Sequence, residues 1–167
     1  MIKINRQIFE RLKASVEFFN NFTDQELFTF LKFMDPERFT DSDVIFKENT
    51  YGTKMYIVIN GNVSISKHIG RDEGNKIKET ILATINPGEC FGEMGLIEQR
   101  RRSAKATSIG NTLLFSISDE MLMQLSVSRK YFTIAIKLYR NFAKMLANRL
   151  RESNTKVVYF ESNKAKL

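Results

Sequence analysis

The residues best suited to chemistry fall together in one stretch, 91–106, which reads FGEMGLIEQRRRSAKA. Gly92 lets backbone come close to a ligand. Beside it, the carboxylate of Glu93 can accept a hydrogen bond from a sugar hydroxyl. Met94, Gly95, Leu96 and Ile97 can form one or two helical turns whose first N–H groups are free to face an anion. Arg102, followed by the small Ser103 and Ala104, can fork onto a phosphate. These parts suit one small anionic nucleotide, held by its sugar and its phosphate. Outside this stretch the candidates are few. A lone His68 supplies neither a zinc-ligand set nor a Ser-His-Asp triad. The single cysteine, Cys90, excludes an internal disulfide and fits a reducing cytoplasm. No acid–base pair or nucleophile set argues for an enzyme.

The elements that must position this stretch can be read from periodicity. The chain has 167 residues, 43% hydrophobic and 27% charged, enough for one domain with a sizeable core. No apolar run approaches the ~20 residues that cross a bilayer, and the N-terminus lacks the apolar segment of a secretory signal. Ile4, Ile8, Leu12, Val16 and Phe19 recur at helical spacing, which predicts a helix over 4–20. Thr23 to Glu26 is a capping-box pattern that opens a second helix, expected to stop before Pro36. From residue 39 the period becomes two, and short strands follow. Met55–Ile59, Asn60-Gly61 and Asn62–Ser66 read as a hairpin with a type I′ turn. A polar loop over 70–76, a strand over 77–85, and strands over 104–109 and 112–117 about a Gly110-Asn111 turn complete the series. Ser118-Asp119-Glu120 caps a short helix. A long helix is expected from about 128 to 154, and Val157–Phe160 could fray, pair as an edge strand or dock on a partner. The fold class this implies is α+β: an antiparallel β-roll or jelly-roll flanked by N-terminal helices and a long C-terminal helix. Residues 1–128 form the helices and roll; 129–167 form the long helix and tail of the same domain.

Charge is distributed unevenly between these parts. Residues 1–128 hold 16 Lys and Arg against 17 Asp and Glu, whereas 129–167 hold 10 against 2. The net charge of +7 therefore belongs to the C-terminal segment. A solvated helix face accounts for it. A nucleic-acid partner is the alternative, but charge without aromatic platforms or a recognition helix argues against that.

The pattern F-G-E-x-x-L followed by R-S-A resembles the phosphate-binding cassette of cyclic nucleotide-binding domains. VIFKEN, MYIVINGNVSI, INPGECFGE, the cassette and the long helix also occur in that family's order. The resemblance implies that Glu93 bonds the ribose 2′-hydroxyl and Arg102 pairs with the cyclic phosphate. Gly92, Met94 and Gly95, with Ser103 and Ala104, would complete the cradle through backbone N–H groups. Val63, Ile65, Leu82 and Ala83 are candidates for the wall of the base pocket. By similarity to dimeric bacterial members, Arg149, Ser153 and Asn154 on the long helix would reach the base. Against these roles stands a surface ion pair between Glu93 and Arg102, with Arg100 and Arg101 as a solvated cluster. Asn49 stands where many members carry glycine.

The implied ligand is cAMP, with cGMP as the competitor, since Ser103 follows the bacterial cAMP-type pattern. The implied role is a stand-alone cytoplasmic sensor, because no helix-turn-helix follows the long helix. It would signal to a downstream protein partner or to its own homodimer through that helix. A ligand-free β-roll scaffold is the alternative reading.

Overall fold

The computed structural model describes residues 6–71, 75, 77–98 and 100–164. Helix α1 spans Arg6–Ser15, and a 3₁₀ turn follows at Glu17–Phe19. The single helix expected over 4–20 is thus broken after Ser15, and residues 1–5 lie outside the described residues. Helix α2, Asp24–Leu31, opens on the expected capping box: the Thr23 side chain accepts from the Glu26 N–H while Glu26 accepts from the Thr23 N–H.

A first strand then begins earlier than the change in period suggests. Strand β1, Asp35–Phe39, contains Pro36 and lies at the sheet edge, where a missing N–H costs little. Strands β2 (Val44–Phe46), β3 (Lys54–Arg71), β4 (Ile77–Ile85), β5 (Cys90–Phe91) and β6 (Lys105–Ser118) complete an antiparallel sheet ordered β1-β6-β3-β4. Within it β2 also pairs with β6, and β5 with β3.

The two expected reversals at Asn60-Gly61 and Gly110-Asn111 are bends within long strands. Strand β3 runs through Gly61 and stays paired with β6 on both sides of it, Tyr56 opposite Ser116 and Ile65 opposite Ala106. Gly61 has φ +77° and Gly110 has φ +67°. Left-handed residues on both strands let the pair kink at one level and turn the corner of the roll together. A type I′ turn needs φ > 0 at both central positions, but only the glycine of each pair has it; Asn60 and Asn111 do not. Each strand stays paired with the other, so the chain bends without reversing.

Helix α3 (Glu93–Glu98) follows β5 directly, and α4 (Asp119–Val127) starts at Ser118, whose hydroxyl accepts from the Met121 N–H. Helix α5 covers Phe132–Lys164, ten residues beyond the expected end. No glycine or proline interrupts 152–164, so the helix propagates through Val157–Phe160, which are helical and not an edge strand.

Two apolar clusters hold these parts. Leu12, Phe18, Phe30, Ile57, Leu138 and Phe142 pack the N-terminal helices, the roll and α5 into one core. Tyr56, Val58, Val63, Phe91 and Leu114 fill the roll itself. Polar anchors fix α5 in place. Lys137 Nζ lies 2.6 Å from Glu26 Oε2, and Asn141 donates to the carbonyls of Phe18 and Asn20 at 2.7 and 3.0 Å. Among the described residues, no helix is long and apolar enough to cross a membrane.

Replacing Gly61 with alanine should destabilise the fold by about 1–3 kcal/mol, through strain at positive φ and local crowding. The new Cβ would lie 2.6 Å from the Asn111 carbonyl oxygen. Chemical denaturation measures the loss.

Candidate functional site

The site begins where β5 ends. Gly92 takes φ +79°, which turns the chain from β5 into α3 and buries Glu93, the first residue of that helix. Glu93 is 1% exposed. On the facing side, the segment bearing Arg102 is tied across to 49–51. The Arg102 N–H donates to the Thr50 carbonyl at 2.7 Å and its carbonyl accepts from the Asn49 N–H at 2.9 Å. Asn49 has φ +64°, a conformation asparagine tolerates better than most residues. This turn therefore belongs to the support of Arg102, a closer role than its sequence position suggests.

Arg102 is itself buried, at 5% exposure. Its guanidinium donates to the carbonyls of Gly92 at 2.7 Å and Lys54 at 2.6 Å. Gly52, Gly92 and Gly95 leave the space it fills. A Cβ on Gly52 would lie 2.3 Å from Arg102 Nε, and one on Gly92 would lie 2.8 Å from Nη1. The ring of Phe46 forms another wall, its centroid 4.1 Å from Cζ. Burial pulls the guanidinium below its ordinary pKa, with Tyr56 and Glu93 opposing that shift. An arginine starts so high that it stays charged.

Glu93 does not pair with Arg102. Its partner is Arg149 of α5, whose Nη1 lies 2.5 Å from Glu93 Oε1 and whose Nη2 donates to the Cys90 carbonyl. The expected alternative of a surface ion pair between Glu93 and Arg102 is therefore corrected: both groups are buried and each faces a different partner. Among the described residues, Glu93 Oε2 and Arg102 Nε are the buried side-chain polar atoms without a hydrogen-bond partner. Cys90, behind them, has its thiol pushed up by burial first and by Glu93 second. An inert structural thiol results.

A cavity of about 720 Å³ opens over these groups, within the range of small-ligand sites. Gly92, Glu93, Met94, Gly95, Arg102, Ser103 and Ala104 all line it, as do Ile65, Leu82, Ala83, Arg149 and Ser153. Leu82 and Ala83 are neighbours that would ordinarily face opposite ways. Ile65 pairs with Ala83 and Ser66 with Ile81, so Leu82 is the extra residue of a β-bulge, which turns both toward the cavity.

Val63 and Asn154 do not line the cavity. Val63 lies on the Ile65 face but two residues deeper, fully buried in the roll's own core. Asn154 is exposed, one helical position past Ser153. Sequence reasoning missed Phe46, Glu152 and Lys156, which line the cavity, and Gly52, which makes room for Arg102. Glu152 and Lys156 follow Arg149 at helical spacing and were legible by extending its face by one turn. Nothing local marks Phe46. Arg101 is exposed and stacks on Tyr51, 4.7 Å from Cζ to the ring centroid, while Arg100 reaches Glu98 at 3.8 Å.

The profile of the cyclic nucleotide-binding domain matches residues 36–128, more than half of the chain. The chain belongs to this family. Its match to the Cyclic AMP receptor protein of Thermus thermophilus is 30% identical over 137 residues, covering 81% of this chain and 58% of that protein. A match to the cAMP-dependent protein kinase regulatory subunit of Dictyostelium discoideum is 26% identical and covers 64% of this chain and 32% of that protein. The chain thus spans less than two thirds of either relative. Among solved structures, the Catabolite Activator Protein of Thermus thermophilus superposes with a TM-score of 0.72 at 26% identity, covering 87% of this chain and 63% of that one.

Within this cyclic nucleotide-binding domain, Arg149 holds a nearly fully buried carboxylate. Arg149→Leu should cost about 1–3 kcal/mol of stability, less than a fully buried pair because Arg149 is 38% exposed. Adding Glu93→Gln should recover part of that loss, as a thermal double-mutant cycle would show.

Proposed function

We propose that this chain binds a cyclic mononucleotide, cAMP in preference to cGMP, and that occupancy is passed on through α5. One observation carries the reading. Glu93 Oε2 and Arg102 Nε are both buried, both without a hydrogen-bond partner, and both belong to residues lining one cavity. An orphaned buried acceptor and an orphaned buried donor cost stability unless a ligand completes them. A ribose 2′-hydroxyl suits the first and a cyclic phosphate the second. Backbone N–H groups of 93–95 and of Ser103 and Ala104 supply further donors to the phosphate. Ile65, Leu82 and Ala83 provide an apolar wall for the purine, and Ser153 a hydroxyl above it. Ser103 supports cAMP, as do relatives named for cyclic AMP and for cAMP dependence.

Arg149 connects this site to the output. It bonds Glu93 and the Cys90 carbonyl from α5, so a ligand engaging Glu93 changes what holds the helix. A ligand shifts such an equilibrium only by its difference in affinity for the two arrangements. Along the outer face of α5, Phe132, Ile136, Tyr139, Leu150 and Val157 are exposed. With Ala143, Leu146 and Ser153 they alternate at spacings of four and three, the seam of a two-stranded coiled coil. A homodimer through α5 is therefore the proposed assembly, with a protein partner as the downstream receiver. The role is regulatory and needs no catalysis.

Cyclic AMP at about 100 times its Kd should stabilise the domain by ~2.7 kcal/mol, a melting shift of roughly 5–10 °C. No shift with millimolar cAMP or cGMP would remove the reading. Arg102→Ala should weaken binding by ~2–5 kcal/mol in calorimetry. A 2′-deoxy analogue should lose about 1–3 kcal/mol, since Glu93 would again be unmatched. Sedimentation equilibrium at about 100 µM, a concentration matched to weak interfaces, should find dimers; monomers there would exclude the α5 interface.

A further inference from the structure

Arg102 carries a full charge at 5% exposure, yet among the described residues no carboxylate lies within ion-pair distance of it. The cassette's own acid, Glu93, is bonded to Arg149. Two backbone carbonyls accept from the guanidinium, and Nε has no hydrogen-bond partner. What faces the cation is the ring of Phe46, with Cζ 4.1 Å from its centroid. That ring is itself held firmly. Phe46 pairs with Ala106 in the sheet, and its ring lies 6.1 Å from Tyr56 and 5.9 Å from Phe91, centroid to centroid.

We propose that Phe46 is a positioning residue for the phosphate: its face keeps the Arg102 guanidinium seated in the glycine-lined slot while the site is empty. This rests on reading Arg102 as the phosphate anchor. An aromatic face attracts a cation without neutralising it. A carboxylate in that place would form an internal ion pair that an incoming phosphate must break. With Phe46 there, the charge stays seated and is not neutralised by a carboxylate, so little ordering remains to be done when the ligand arrives. Without the ring, the guanidinium would occupy the slot for only part of the time, and affinity would fall by that fraction.

The test is a double-mutant cycle between Phe46→Leu and Arg102→Gln, with Phe46→Met as a second volume-matched variant and Phe46→Tyr as the aromatic control. Melting is measured without ligand, and cAMP binding by calorimetry. Phe46→Leu should weaken cAMP binding roughly 3- to 30-fold, and Phe46→Tyr should restore it to within about 2-fold. Without ligand, Phe46→Leu should lower the melting temperature more in the Arg102 background than in the Gln background, by about 1–8 °C. Equal losses in both backgrounds would show ordinary packing and overturn the proposal. So would unchanged affinity in a folded Phe46→Leu or Phe46→Met variant. If the unaltered chain binds no cyclic nucleotide, the nucleotide reading fails, and the proposed role in phosphate binding falls with it. The ligand-free cycle then still decides whether Phe46 holds Arg102, which separates the two failures.

Discussion

A guanidinium taken out of water is the constraint around which this molecule is arranged. Desolvating a cation is costly, and a protein usually offsets the cost with a carboxylate. Here it is offset by two carbonyls and an aromatic face, and much of the surrounding structure follows from that choice. Gly52 and Gly92 must lack side chains so that the group fits, and Gly95 leaves it further room. Asn49 must turn left-handed so that 49–51 can bracket the Arg102 backbone. Lys54 contributes its carbonyl to the slot while its ammonium reaches across β6 to pair with Glu37 of β1 at 2.8 Å. The result is a concentrated positive charge at the floor of a cavity, the arrangement that an anion recognises.

The second constraint is the carboxylate of Glu93, buried a short distance along the chain but committed elsewhere. Because it bonds Arg149, the cassette and α5 share one ion pair. The first half of α5 is fixed independently, by Lys137 to Glu26 and by Asn141 to the turn after α1. The long helix is thus fastened near its start to the N-terminal helices and further along to the cassette.

Much of this was readable in one dimension. The capping box at Thr23, the N-cap at Ser118 and the period-two strands are local features, enforced by hydrogen bonds within a few residues. The cassette is also local, since Gly92, Glu93 and the helix they start are consecutive. Arg149 and Ser153 could be placed only through the family resemblance, and the cavity does bring them beside the cassette. Leu82 and Ala83 reach it together because of a bulge, a property of pairing between strands that neither residue displays alone.

By itself, then, the sequence determined most element types, the cassette and the family, because each depends on short-range spacing or on a pattern of residue types. Tertiary structure decided which groups meet. Asn60-Gly61 became a bend because β6 carries a matching left-handed residue opposite it, a fact set by register. Glu93 went to Arg149 because α5 crosses the cassette, 56 residues away in sequence. Phe46 came to lie against Arg102 because β2 and β6 pair across the roll. Each of these contacts joins segments far apart in the chain. Their energies exist only once the sheet has closed and water has left the space between them.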